Sequence, residues 1–348
     1  MTPILVVILR TALVVGSLLP ATVFAQDATP TARSENSAMS PIEAASGWLR
    51  SQQDHSGGFP GFDGTLDPGT TTDAAMALAA ARDTDPAAAE ALAAAMRYLE
   101  ENGAAYAQTG PGQAAKLALA AAAGGRDPRD FAGLDLVAAM TAPLATPVPD
   151  AVEGIYGDDL YDHALVLIAL AAAGEPRPEA ALESLRATQG ADGGWAFDGT
   201  TTPGGADSNT TALVIQALAA HGHDDDPAIE RALAFLASLR APDAGGFAYG
   251  PADPLVADAN STALVIQALL AVGEEPSAPE WGDAPLALSR FQTPAGGLRY
   301  LMDDAEPNLL ATLQAIPALA GYPLPVARWC GTAEDQVDSE WCALAPAA

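Results

Sequence analysis

The sequence predicts an all-α protein, a single α6/α6 toroid in which six helical hairpins close into a ring with apolar helices inside and amphipathic helices outside. Three observations carry that reading. Glycine-marked units recur every 40 to 52 residues, half-polar and wholly apolar helical segments alternate, and glycine and proline stand at the segment ends.

Residues 1–25 precede the repeat. Met1 to Leu19 is apolar apart from Arg10 and a few small residues, and leads to Val23-Phe24-Ala25 ahead of Gln26. This reads as a secretory signal peptide cleaved near Ala25, which puts the mature protein outside the cell or at its surface. The alternative, an uncleaved anchor helix, is interrupted by Arg10. Residues 26–40 are polar and aperiodic, as in a flexible linker. No later segment is apolar for long enough to enter a membrane.

The chain carries a formal charge of −29, and loss of Arg10 with the signal leaves 14 basic against 44 acidic side chains. Such a surface repels phosphate backbones and anionic lipid, which excludes nucleic acid as a partner. The protein is expected to be a monomer.

Units fill residues 41–322. Paired glycines mark four of them, at Gly57-Gly58, Gly193-Gly194, Gly245-Gly246 and Gly296-Gly297, and weaker turns at Gly103 and Gly154 supply the rest. Segment 227–240 places Ile229, Leu233, Leu236 and Leu239 on one stripe and leaves Glu230, Arg231 and Arg240 to water. Segments 210–220 and 261–271 are apolar nearly all round, so they must be covered on every side. Alternation of the two kinds implies two layers. An open solenoid is the structural alternative, but it would leave one apolar face bare.

The apolar segments end at Gly125, Gly174, Gly222, Gly273 and Gly321, which suit a left-handed C-terminal cap. Asp85-Pro86, Asp127-Pro128, Glu175-Pro176 and Asp226-Pro227 follow as helix starts, with the acid as cap and proline at the first position. Residues 323–348 form a tail holding both cysteines, Cys330 and Cys342. In an oxidising compartment they are expected to form a disulfide, worth roughly 3 kcal/mol for so short a loop.

The turn residues bring a family into view. Trp48-Leu49, Gln53, Gly57 and Phe59 resemble the QW repeat of squalene–hopene cyclases, as do Gln189, Gly193 and Trp195; Gln292 and Gly296 keep its glutamine and glycine, and Phe235-Leu236 with Gly245-Gly246-Phe247 is a looser copy. The chain thus resembles the terpenoid cyclase and protein prenyltransferase superfamily over residues 41–322. That resemblance implies the toroid, and it implies that these motifs tie each outer helix to the next inner one.

The same resemblance directs attention to the DxDDTA acid motif of class II cyclases. Its frame recurs at Asp207-Ser-Asn209-Thr-Thr-Ala212, at Asp258-Ala-Asn260-Ser-Thr-Ala263, more loosely at Asp159-Leu-Tyr161-Asp162-His163-Ala164, and again at Glu306-Pro-Asn308. In each, Asn or Tyr stands where the family has its central acid, and neither can protonate an alkene. With 5 Trp, 7 Tyr and 8 Phe in the chain, aromatic walls for a carbocation are also sparse. No Asp/Cys/His set matches the zinc site of prenyltransferases, and no GCGEQ thioester is present. Asp158-Asp159 with Asp162 spells DDxxD, but inside the repeat frame of a different fold, as a chance match would.

Asp73, Asp162, His163, Asp207, Asn209, Asp258, Asn260, Glu306 and Asn308 therefore fall near the starts of inner helices. One reading is capping of the free backbone N–H groups there. The other uses the ring, which gathers the helix starts around one mouth and makes a polar collar over an apolar barrel, with Trp195, Phe197, Phe247 and Tyr249 in the loops beside it. No cofactor is expected, calcium on the collar carboxylates being a weak alternative. Lys116, the only lysine, stands in the second inner helix where its neighbours have Leu, able to pair with a carboxylate or to snorkel to the rim. The function expected is binding of a small ligand, a terpenoid, corrinoid or glycan fragment. Cobalamin carriers are similar in toroid and inner-helix pattern but add a second, β-rich domain, for which the tail here is too short. The alternative is an enzyme acting through paired carboxylates, either a divergent terpenoid cyclase or a glycan lyase or hydrolase using Asp162 with Asp207 or Asp258.

Overall fold

A computed structural model describes residues 39–142, 155–242, 245–327 and 329. The signal, most of the linker, the turn expected at Gly154, and Cys330 and Cys342 lie outside the described residues.

The inner helices are α2 (Pro68–Ala81), α4 (Pro111–Ala123), α6 (Leu160–Ala172), α8 (Ser208–Ala220), α10 (Ala259–Ala271) and α12 (Leu309–Leu319). The outer ones are α1 (Pro41–Ser51), α3 (Ala88–Ala107), the short α5 (Leu136–Thr141), α7 (Glu179–Ala187), α9 (Pro227–Ser238) and α11 (Ala284–Ser289). Each inner helix packs on the next, and α12 packs on α2, so the ring is closed. Outer α1 lies against α12 and α2, and α3, α5 and α11 likewise bridge the inner helices on either side. Ala, Leu and Val on all sides of α6, α8 and α10 are buried, as a helix without a polar face requires. No described helix is long and apolar enough to cross a membrane.

The glutamine–glycine motifs build the outer wall. Gln53 donates Nε2 to Gly57 O in its own turn and to Ala91 O in α3, both at 2.9 Å. Gln189 does the same with Gly193 O and Ala228 O in α9, at 2.7 and 2.8 Å. Gly57, Gly193 and Gly296 have φ of +96°, +91° and +102°, and a Cβ on any of them would run into a carbonyl of the following outer helix, at Ala94, Arg231 or Ala44. A Cβ on the glycine after each would collide with an aromatic ring of that helix: Tyr98, Phe235 or Trp48. The motif therefore joins outer helix to outer helix, and also ties to the next inner helix as the resemblance implied, since the Phe59 and Trp195 N–H groups donate to Thr71 and Thr211 Oγ1. Its last copy joins the ends of the ring, because Gln292 and Trp48 belong to the last and first hairpins.

Two other expectations need correction. Gly103 lies inside α3 against Leu117 and makes no turn, so α3 and α4 are joined by only Gln108, Thr109 and Gly110. Of the acid–proline pairs, Asp226-Pro227 caps its helix as expected. Helix α3 begins after Asp85-Pro86 and α7 after Glu175-Pro176, while Asp127-Pro128 opens a non-helical turn. Gly125, Gly174, Gly222, Gly273 and Gly321 all have φ near +70° to +80° and end the inner helices as the pattern required.

Beyond α12 the chain crosses the end of the ring. Leu324 donates its N–H to Gln216 Oε1 of α8 at 2.8 Å, and Trp329 donates its N–H to Ala172 O at the end of α6 at 2.7 Å. Helix α6 stands opposite α12, so this strap spans the diameter and floors the barrel.

Candidate binding cavity and its rim

All six inner helices run the same way, so their N-termini gather at one mouth. Five are capped in one manner: Asp67, Asp159, Asp207, Asp258 and Asn308 accept the backbone N–H three residues on. Helix α4 begins at Gly110 with no side-chain cap. Asp162 of α6 leans over its first turn instead, so close to Gly112 that a Cβ there would collide with the carboxylate. Burial, with Asp159 and Asp158 nearby, pushes the Asp162 carboxyl up to about 6, although Lys116 and the Gly112 N–H act in the opposite direction.

Inside the ring lies a cavity of about 600 Å³. The residue six places beyond each cap faces it: Asp73, Lys116, Leu165, Leu213, Leu264 and Gln314. At that level the wall is divided. Adjacent helices α12, α2 and α4 present Gln314, Asp73 and Lys116, and α6, α8 and α10 present three leucines. Met76, Leu309, Leu313, Pro317 and, from the strap, Leu324 extend the apolar surface, while Tyr106, Tyr161 and Gln267 add polar atoms. Lys116 Nζ lies 2.8 Å from Asp73 Oδ2. Burial disfavours its charge, but Asp73 and the Tyr106 hydroxyl outweigh that and hold the ammonium above its ordinary range. Burial pushes the Tyr161 hydroxyl up to about 12, so it stays protonated.

Several residues expected at the mouth do other work. His163 is fully buried; Nδ1 accepts the Tyr156 N–H at 3.0 Å, and Nε2 lies 3.0 Å from Ala181 O and from Ser184 Oγ. It occupies the place of Thr71, Thr211, Thr262 and Thr312, each of which accepts a backbone N–H from its glycine loop. Burial holds the imidazole down to about 4, so it is neutral. Trp195 is also fully buried, with its indole N–H on Leu185 O at 2.7 Å. Phe247 is buried in the same way. Glu306 is exposed in the loop before α12, because Asn308 is the cap, two residues later than the repeat frame suggested.

The remaining acids and amides stand between helix starts. Asp207 and Asp258 are buried caps whose carboxyls are pushed up by that burial against the helix N–H groups they accept. Asp258 Oδ2 accepts Ser261 Oγ–H, whereas the Asp207 carboxyl lies beside the Tyr249 hydroxyl, which favours its charged form. Asn209 takes a 3.2 Å hydrogen bond from Ser208. Asn260 donates to Gln314 Oε1 at 2.8 Å and leaves Oδ1 without a partner. Of the expected collar, Asp73 and Asn308 line the cavity, and Asp162, Asn209 and Asp258 do not. Among the described residues no group of three or more His, Cys, Asp or Glu side chains is placed to hold a metal, so the collar carboxylates do not converge on a calcium site.

An exposed aromatic rim was only half legible in the sequence. Phe197, Tyr249 and Tyr300 each sit four residues after the first glycine of a pair, and their carbonyls accept the first N–H of α6, α8 and α10 at 2.9, 2.7 and 3.0 Å. Their rings are 50%, 52% and 39% exposed, and Phe62 of the first hairpin is 99% exposed at the cavity edge. The backbone bond fixes each ring over the start of the preceding inner helix. The repeated glycine-to-aromatic spacing was the available signal for Tyr300.

No family model and no curated protein sequence matches the chain. Its structure is similar to the type II terpene cyclase MstE from Scytonema, at 20% identity and a TM-score of 0.58, covering 80% of this chain and 96% of that one. It is similar to an unsaturated glucuronyl hydrolase specific for heparin (15% identity, TM-score 0.58, 80% and 95% covered). An inactive variant of an α-1,6-mannanase of Salegentibacter sp., solved with α-1,6-mannotriose, is another such structure (10% identity, TM-score 0.59, 80% and 97% covered). At these identities the likeness is one of fold: the chain is an α/α toroid of the kind shared by terpene cyclases and glycosidases.

Proposed function

We propose that this toroid is an exported, monomeric binding protein that holds a small, mostly apolar molecule inside its ring. The observation that carries the reading is the cavity itself, crossed below by the strap, walled by leucine on its α6, α8 and α10 side and provided with a few convergent polar atoms. Its acids are already engaged: Asp73 pairs with Lys116, and Asp67 accepts both the N–H and the hydroxyl of Thr70. Protonation of an alkene needs a strong acid aimed at the substrate, so binding is favoured over cyclisation. The leucine walls favour a terpenoid-like body over a glycan fragment or a corrinoid. A variant of MstE, solved with geranylgeranyl dihydroxybenzoate, offers a ring of the same fold that accepts such a body. Native mass spectrometry of the purified protein after incubation with a lipid extract tests the proposal. A retained ligand returned unchanged, and lost in Leu213→Trp, supports it; turnover of that ligand, or retention in the filled variant, overturns it.

One observation favours a second reading, in which rim carboxylates act on a substrate outside the barrel. Burial pushes the Asp207 carboxyl up beside the Tyr249 hydroxyl, and the Asp162 carboxyl on the neighbouring inner helix is pushed up to about 6. Two acids at a defined separation serve glycan hydrolysis. Release of reducing ends from a panel of polysaccharides, abolished by Asp207→Asn and by Asp162→Asn, would establish it.

A further inference from the structure

The Asp73–Lys116 pair stands where three of the other inner helices place leucine. We infer that this pair makes the cavity selective for an uncharged ligand bearing a hydrogen-bonding head, such as an alcohol or a ketone, and excludes carboxylate and diphosphate ligands. The inference rests on the binding reading above.

The charge around the cavity carries the argument. Its lining includes two carboxylates, Asp67 and Asp73, and one cation, Lys116, whose charge is already spent on Asp73 at 2.8 Å. A ligand carboxylate would enter a low-dielectric space of net negative charge, leaving its hydration behind with no free cation to receive it. A diphosphate would meet the same field with more charge. Helix N-termini commonly attract anions, but here the mouth is rimmed by the cap carboxylates Asp67, Asp159, Asp207 and Asp258. An ammonium ligand would likewise leave its hydration behind, and the carboxylates that could receive it are already engaged, Asp73 by Lys116 and Asp67 by Thr70. A neutral head loses little hydration, and Gln314, Gln267 and the Tyr106 and Tyr161 hydroxyls offer donors and acceptors around the pair. The divided wall adds shape to the selection. Polar groups belong on the side of the ligand that faces α12, α2 and α4, and bare hydrocarbon on the side that faces α6, α8 and α10.

Three fluorescent probes with one apolar body and different heads test this: pyrenebutanol, pyrenebutyrate and pyrenebutylamine, titrated into the full chain. The wild type is expected to bind the alcohol about tenfold more tightly than either ion, a modest repulsive discrimination. Asp73→Asn frees the Lys116 charge and is expected to raise affinity for the butyrate about tenfold. Lys116→Met leaves Asp73 alone and is expected to do the same for the amine. The double variant Asp73→Leu with Lys116→Leu restores the leucine of the other helices and is expected to bind with no charged site to redirect, so it gains for neither ion. Circular dichroism melting of each variant shows that the changes are read on folded protein. Equal wild-type affinity for alcohol and butyrate, or an unchanged order in Asp73→Asn, overturns the inference while leaving the cavity reading intact. Failure of the wild type to bind any probe, or probe binding that ignores Leu213→Trp, overturns the cavity reading and the inference together.

Discussion

Gln292 donates its side-chain amide to the carbonyl of Pro41 at 2.7 Å, across a sequence separation of 251 residues. The same amide bonds Gly296 O in its own turn, and Gly296 rests on the Ala44 backbone. One side chain thus fastens the last hairpin to the first, in the way Gln53 and Gln189 fasten neighbours within the chain. Gln292→Ala removes two bonds and is expected to destabilise by about 1–3 kcal/mol. Urea unfolding measures it. Gln53→Ala should cost a similar amount, because the bonding is the same, and a much smaller effect at either site would show that the seam contributes little.

Gly296→Ala tests the close approach at the same seam. The added methyl meets the Ala44 carbonyl at a backbone angle that disfavours any side chain. It is expected to cost more than Gln292→Ala and to increase hydrogen exchange in α1, where the first hairpin would lift from the last. Exchange mass spectrometry reports both.

Lys116 and Asp73 are each about a quarter exposed, so their pairing is worth less than that of a fully buried pair. Removing one partner still leaves a charge facing leucine. Lys116→Met alone should destabilise by about 1–2 kcal/mol, and the double replacement by leucine should be at least as stable as that single variant. Thermal unfolding of the cycle measures the coupling.

Asp162 and Gly112 make a cap between two helices. Gly112→Ala should displace the carboxylate and destabilise α4 by about 1 kcal/mol, the usual cost of a lost cap. The effect should shrink in an Asp162→Ala background, where the methyl has no carboxylate to displace. Additive effects would separate the two residues.

The neighbours Asp162 and His163 give opposite pH dependences. His163 is held down to about 4 from an ordinary 6.5, so the unfolded chain binds its proton first. Its contribution to stability is complete above about 6.5 and is lost as pH falls towards 4, by roughly 3 kcal/mol. Asp162 is pushed up to about 6 from 3.8, so the folded chain binds that proton more tightly. Its contribution is present at low pH and is lost as pH rises from about 4 through 6. Relative to wild type, His163→Gln should lose stability as pH rises from 4 to 6.5, and Asp162→Asn should gain it. Urea unfolding across that range separates the two slopes.

Repetition of Gln, paired Gly and apolar runs determined the ring. A helix with no polar face can be satisfied only by complete enclosure, and six such helices with six half-polar ones leave few arrangements. The caps at Asp207 and Asp258 were legible for the same reason, since Asp ahead of Thr or Ser satisfies helix N–H groups locally.

What tertiary structure decided is which side chains look inward. Helix α4 starts at Gly110, which carries no side-chain signal, and α12 starts at Asn308 rather than Glu306. A two-residue slip turns a side chain by about 200° around a helix, enough to exchange cavity for wall. His163 and Trp195 fill the core because a hydrogen-bond partner met each of them there, a matter of neighbours rather than of sequence. Asp73 and Lys116 meet because the ring sets α2 beside α4 in register, across a sequence separation of 43 residues, and local pattern holds no record of such a meeting.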